Sequence, residues 1–343
     1  MKHPSAWQKA ELHAHLQHAL DLELWTIPLY LCSLFSIRGL AKTKHADYPE
    51  AAKLILSVVI QEMLHAELVC NISHALGYHP RFHFPVYDPA KGIPFIHPSP
   101  QSLPQDIRGY QVKAHPLGHE ALQLFCAIEF PHPNREIVWE KEQRYGTIAE
   151  LYRAIQLGVA AHWDAYFVGR ETNTLQKNAF KEYHNQNGRH HGFSIMIQSP
   201  EDAQRAVEAI IEQGEGADSG RVPADFRPPT PEKGKEFDTA WYRGNLSHYH
   251  KFRILLHSHQ LLPPVYELAP EGGSVPAQAQ LKEALSDLWK EMEASFGSAG
   301  EKMSEDFWTR MFALGSSLDA VWRSGACPDL ELGSSGGMRH EKG

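Results

Sequence analysis

One short motif, Glu62-Met63-Leu64-His65, has the types and spacing to do chemistry. Three positions apart on a helix, a carboxylate and an imidazole share a face, where both can hold one metal ion. Glu-x-x-His in the core of a helix bundle is the ligand pattern of di-iron and di-manganese carboxylate sites. The motif alone is common, and a solvated Glu beside a surface His is the competing reading. Its flanks, LILSVVI before and LVCNI after, decide between them. They make the helix apolar nearly all round, as a buried helix is. An unpaired charge at that depth is very costly, so a metal is the expected partner of Glu62 and His65.

Further candidates lie on other segments. Glu23, in HALDLELWTIPLYLCSLF, follows the stripe of Leu16, Leu20 and Ile27 and reads as inward-facing. Asp21 lies about 200° around the same helix and does not share that face. Glu150, in GTIAELYRAI, has two open readings: a metal ligand, or the capping-box partner of Thr147. Glu208 and Glu212 follow on a later helix, then Glu215 between two glycines, then His248 and His250 in NLSHYHKFRILLH. Glu129, in FCAIEFPHP, is either a buried structural acid or a group that supports the metal ligands from behind; the structural reading is favoured because it stands at a helix end before two prolines.

The elements that must position these residues are helices. The first is expected from about Trp7 to Ile37, kinked or locally unwound at Pro28 and stopped by Gly39. The second runs from Tyr48 or Pro49 to Leu76 and is closed by Gly77 and Pro80. The proline-rich stretch from His79 to about Gln111 is a long irregular connection, of the kind that crosses over between two helix pairs. Further helices are expected over Ala114 to Phe130, Thr147 to Val168, Ser199 to Gly214, Thr239 to His259, Ala277 to Phe296 and Ser304 to Arg323. Ser199 is the expected N-cap of its helix and Pro200 the first helical residue. No period-2 strand series, internal repeat or glycine-rich phosphate loop is present, so the class is all-α. Residues 1–260 are expected to form the bundle, 261–325 to pack on it as C-terminal helices, and 326–343 to be a disordered tail.

Composition narrows the function. With 343 residues and a formal net charge of -8, and with basic residues scattered, the chain is a poor partner for nucleic acid. Its four cysteines lack zinc-like spacing and read as reduced core residues, as in a cytosolic protein. The N-terminus has no apolar signal-like region, and the apolar runs read as too short and too interrupted by charge to span a bilayer. A cytoplasmic location without membrane contact is therefore expected. Ser33, Ser57 and Ser73 sit in helix interiors without a nucleophile elbow, which argues against hydrolysis.

The segments ALDLELWTIPLYLCSLFSI, IQEMLHAELVCNISHALGYHP, SPEDAQRAVEAIIEQGEG and SHYHKF, in that order, resemble the stand-alone ferritin-like family, also described as the iminophenyl-pyruvate dimer synthase domain. Its relatives include the large enzymes of violacein and indolocarbazole biosynthesis that couple two tryptophan-derived imines oxidatively. The likeness covers about Leu12 to Phe252. It implies a ferritin-like four-helix bundle with ligands from four helices: Glu23, then Glu62 and His65, then Glu150, then Glu212. A usual site of this kind has a second Glu-x-x-His, but here Glu215 stands three residues after Glu212. Either Glu215 binds, or His248 folds back to complete the site; His248 is favoured because it restores an imidazole.

The resemblance and the donor set imply two non-haem irons, with manganese or another divalent metal as the alternative. The expected function is an oxidoreductase acting on a small, aromatic amino-acid-derived, imine-like substrate. Trp25, Tyr30, Trp139, Trp163 and Tyr166 can line its pocket or be ordinary core aromatics. Two other readings stand beside it: a metal- or ligand-holding accessory protein without turnover, and a haem protein using His162 or the His248–His250 pair as axial ligand. A homo-oligomer or a pathway partner enzyme fits each reading.

Overall fold

Two long, largely buried helices set the frame. The computed structural model describes residues 2–98, 102–131, 145–169, 174–180, 195–216, 221–223, 246–258, 262–270 and 272–332. Among these residues the fold is all-helical, and its only strand-like features are isolated bridges. Helix α1 spans Lys9–Phe35. It opens with the Gln8 amide donating to the Glu11 carboxylate at 2.6 Å. It runs through Pro28 without interruption: every residue from Leu22 to Leu34 is buried, so packing on all sides outweighs the one backbone hydrogen bond that proline removes.

Helix α2 spans Glu50–Ala75, and every residue from Gln61 to Ala75 is buried. Gly77 ends it with φ 68°, and the Tyr78 amide reaches back to the Ser73 carbonyl at 2.9 Å, the Schellman closure. By length and apolarity α2 is sufficient to cross a bilayer, which corrects the expectation that no apolar run is long enough. Its qualifying window is 83% buried inside the fold, as befits a central core helix.

The remaining helices are α3 (His119–Ile128), α4 (Ile148–Tyr166), α5 (Pro200–Gly214), α6 (His248–His257), α7 (Val275–Gly297) and α8 (Glu305–Arg323). Their N-caps are hydroxyl residues wherever the chain supplies one: Thr147, Ser199, Ser247, Ser274 and Ser304 each accept an amide of the first turn. Helix α3 begins later than its apolar pattern suggests, because Pro116 and Gly118 hold the preceding residues out of a helix. Residues 239–245, expected to open α6, lie outside the described residues.

Helix α1 pairs along α2, α4 with α5, and α3 with α6, while α5 and α6 both contact α2. Along α1, Tyr152 of α4 reaches Glu23, and Phe125 of α3 packs edge-on against Tyr30 with ring centroids 4.6 Å apart. Two of the four bundle positions are thus each filled by a pair of shorter helices, α3 with α4 and α5 with α6. The interrupted ends meet. Glu215, just past α5, accepts the Ala149 amide at the start of α4 at 3.3 Å. Glu129 caps the end of α3, and His248 is the first residue of α6.

The other elements brace this arrangement. The proline-rich stretch lies over α1, exchanging hydrogen bonds of 3.0 Å between Trp25 and Val86 and between Tyr87 and the Trp25 carbonyl. Helix α8 sits against α1: the Trp322 indole donates to the Cys32 carbonyl at 2.8 Å. Gly315 allows that approach, since a Cβ there would lie 2.3 Å from the Phe35 ring. Lys177, fully buried, donates to the carbonyls of Ser298 and Gly300 at 2.7 Å each.

Candidate metal centre

The meeting ends surround a cluster of five buried side chains. Glu23 comes from α1, Glu62 and His65 from α2, Glu129 from the cap of α3, and His248 from the first turn of α6. All are at most 4% exposed. They form two groups, Glu23–Glu62–His65 and Glu62–Glu129–His248, with candidate ligand atoms in each group within 4.8 Å of one another. Glu62 belongs to both. His65 Nδ1 lies 3.5 Å from Glu23 Oε2 and 4.0 Å from Glu62 Oε1. His248 Nδ1 lies 2.8 Å from Glu62 Oε1 and 3.6 Å from Glu129 Oε2.

Each of the five is held from behind. His65 Nε2 faces Gln213 Oε1 at 3.0 Å, and His248 Nε2 faces Gln61 Oε1 at 3.1 Å. An amide oxygen only accepts, so each Nε2 carries the proton and each Nδ1 turns a lone pair inward. Lys251 fixes the Gln61 orientation by donating to the same oxygen at 2.7 Å. The outer oxygens of the carboxylates are likewise engaged. The Tyr152 hydroxyl donates to Glu23 Oε1, the Tyr30 hydroxyl to Glu129 Oε1 at 2.6 Å, and the Thr26 hydroxyl to Glu62 Oε2 at 2.7 Å. Backing groups of this kind orient metal ligands and fix their tautomers.

The electrostatics call for a cation. Burial pushes the Glu23 carboxyl up to about 7, and the hydrogen bonds from Tyr152 and Glu62 offset this only in part. Burial, then the Glu62 charge, raises Glu129. His65 is pulled down to about 4 by burial, despite the neighbouring Glu62. At His248 burial pulls downward, but Glu129 and Glu62 together outweigh it and the net direction is up. His248 Nδ1 lies between Glu62 and Glu129, and both carboxylates contribute hydrogen bonding as well as charge to its upward shift. A buried imidazole nitrogen aimed at two carboxylates is a fitting metal donor. The donor set of three carboxylates and two imidazoles suits iron or manganese.

The structure thus brings together Glu23, Glu62, His65 and His248, while Glu150 and Glu212 belong to neither group. Glu150 caps α4: its carboxylate accepts the Gly146 amide at 2.6 Å, and its own amide bonds to Thr147 Oγ1 at 3.2 Å. Glu212 is half-buried on α5 and belongs to neither group, and Glu215 serves the Ala149 amide. Glu129, read from sequence as structural, is in the cluster. Its signal was an acid directly after the unbroken apolar run Leu124–Ile128. Of the expected pocket aromatics, Tyr30 touches the cluster. Trp25 is tied to Val86, Trp163 stacks on Phe167 and Tyr166 on His162, while Trp139 lies outside the described residues. His162 Nε2 lies 3.3 Å from the Pro4 carbonyl.

A split-helix bundle enclosing carboxylates and imidazoles around a shared glutamate defines a helical-bundle protein with a candidate two-metal site. The family model described as Ferritin-like matches residues 16–257, a span that contains all five cluster residues. The chain belongs to the ferritin-like family. It is also similar to a ferritin-like protein from Caulobacter vibrioides whose crystal structure was determined at 1.95 Å resolution. The two share 25% identity and a TM-score of 0.66, over 94% of this chain and 98% of that one. No curated protein matches the chain.

Proposed function

We propose that this protein is a non-haem di-iron oxidoreductase acting on a small aromatic amino-acid-derived, imine-like substrate, as the iminophenyl-pyruvate dimer synthase domain does. The observation that carries the reading is Glu62, shared between two groups that each add one carboxylate and one inward-facing imidazole nitrogen. Iron held there would supply the redox chemistry with dioxygen or peroxide. The residues around it do the positioning. Glu62 is placed to bridge the two halves, while Tyr152 and Tyr30 hold Glu23 and Glu129 from opposite sides. Gln213 and Gln61 set the tautomers of His65 and His248. The near-complete burial of all five keeps bulk water from competing for the ligands. This reading places the protein in the cytoplasm, alone or beside a pathway partner.

The same burial favours a second reading, a protein that holds metal without turnover. One set of measurements separates the two. Elemental analysis of chelator-free protein is expected to find about two irons per chain, as the two ligand groups require. Glu62→Ala is expected to lose both, and His65→Ala at least one. Oxygen uptake by the iron-loaded chain with an aromatic imine would support the enzyme; retained iron with no uptake would leave the holding role. A Soret band in the purified protein would move the reading to haem. No metal in the native chain after anaerobic loading would overturn the proposal.

A further inference from the structure

Helix α8 has a face that the described residues leave uncovered. At about 100° per residue, Phe307, Leu314, Leu318 and Val321 fall on one side of it, and all four are buried. Gly315 brings the helix against Phe35 of α1. The opposite side holds Trp308 and Phe312, one turn apart and 39% and 63% exposed. A single exposed apolar residue is ordinary on a protein surface, and Leu157 on α4 or Val275 at the start of α7 is of that kind. Two large aromatic rings on one helix face are not, and among the described helices α8 alone shows them.

The two ends of this face carry opposite charges. Glu305 opens the helix and Arg323 closes it, and both are exposed. Their separation is about five full turns, so they share one line along the helix, with Phe312 and Ser316 close to that line between them. Arg323 turns its Nε to Asp319 at 3.5 Å and keeps its side chain 52% exposed. The bulky residues of the face, Trp308 and Phe312, are in its first half, and the smaller Ser316 and Ala320 are in its second. Turned end over end about a two-fold axis, such a face is complementary to itself. Each acidic end meets a basic end, and each ring meets smaller side chains. The parallel arrangement would set like charges together. With a net charge of -8 on every chain, two copies repel overall, so the charges at a contact between them must be paired.

We propose that the outer face of α8 is a two-fold dimer interface, occupied by α8 of a second copy of this chain in antiparallel orientation. Trp308 and Phe312 form its apolar centre, and Glu305 meets the partner's Arg323 at each end. Buried aromatic residues at the centre of a contact carry most of its affinity, and the end charges set its register. A stripe about 27 Å long belongs to the smaller specific interfaces, so the dimer is expected to form in a concentration-dependent way. The face points away from α1, and no residue of α8 belongs to the carboxylate and imidazole cluster. The inference therefore stands apart from the redox reading.

The test is sedimentation velocity of the full chain as purified, from about 1 to 100 μM, a range that spans micromolar dissociation constants. The mass is expected to rise from one chain to two. Phe312→Asp should weaken the dimer at least about thirtyfold, and the exposure of that side chain lets the variant fold. Glu305→Arg and Arg323→Glu each set like charges together at both ends and should each weaken it at least about tenfold. An equimolar mixture of these two variants should regain the native affinity, because the mixed pair makes both end contacts attractive again; damage to the fold would not be repaired by mixing. A single chain mass at every concentration would overturn the proposal and leave the face to a different occupant. A dimer that Phe312→Asp and Glu305→Arg leave intact would overturn it too, since the contact would then lie elsewhere. Folded variants that fail to restore one another would rule out the antiparallel pairing. If Arg323→Glu did not fold, for want of a partner for Asp319, the other two variants would still decide the matter.

Discussion

The two tyrosines behind the carboxylates give the sharpest check on how the metal centre is divided. Tyr152 donates to Glu23, a member of the first ligand group only, and Tyr30 donates to Glu129, a member of the second only. Replacing either by Phe removes one hydroxyl and conserves the buried ring. Both side chains are at most 1% exposed, so no solvent takes the place of the lost donor. A hydrogen bond to a charged group contributes about 1.5–3 kcal/mol, which corresponds to about 10- to 100-fold in metal affinity. Tyr152→Phe is thus expected to weaken one of two metal-binding events by that factor, and Tyr30→Phe the other. Titration against a competing chelator resolves the two events. The Tyr152 defect should also grow as pH falls. Its hydroxyl helps to restrain the Glu23 carboxyl, which burial has already raised to about 7, and losing it lets the proton compete better. Two variants that weaken the same single event, or variants indistinguishable from the native chain, would refute the division of the cluster around Glu62.

Other expectations follow from the same geometry. Metal uptake by the native chain should weaken as pH falls through about 7, by up to about tenfold per unit, because the metal must displace a proton from Glu23. His65, pulled down to about 4 by burial, adds nothing to this until far lower pH, whereas His248 and Glu129, both shifted upward, add to it; uptake that does not change across neutral pH would contradict the assignment. Glu150→Ala removes the acceptor of the Gly146 amide at the start of α4. Thermal or denaturant unfolding should register a loss of about 1 kcal/mol, while metal content stays the same. Lys177→Met removes the ammonium donor from the carbonyls of Ser298 and Gly300, which belong to exposed residues, and takes a buried positive charge from near Glu67. A loss of about 1.5–3 kcal/mol in denaturant melts is expected, and a change below about 0.5 kcal/mol would show that the ammonium is not needed.

Much of the architecture was legible in the sequence, for identifiable reasons. The buried helix α2 announced itself by apolar residues on every face, and α5 by Ser199-Pro200 at its start. Within the site, Glu62 and His65 were readable because their spacing is local and helical. The ligands contributed by the other elements were harder. Glu150 looked like a ligand because an acid inside a helix and an acid capping it have the same local pattern. Only the Gly146 amide at 2.6 Å distinguishes them. Glu129 looked structural because it ends a helix before prolines, and nothing local says that this end points into a bundle. His248 was accessible through the resemblance and the missing histidine, not through its own neighbours. Contacts between Tyr30 and Glu129, 99 positions apart, or between Gln61 and His248, 187 apart, are set by packing and leave no periodic trace.

The departures share one structural cause. In an unbroken bundle each ligand lies inside a helix, and the neighbouring turns supply the rest of its motif. Here two of the four bundle positions are interrupted at the level of the carboxylate and imidazole cluster. The third-helix acid is therefore the residue that ends α3, and the fourth-helix imidazole is the residue that begins α6. The break sets His248 apart from the end of α5, where Gln213 supports His65. The fourth position therefore contributes from both sides of its break, an amide behind His65 from α5 and an imidazole beside Glu62 from α6.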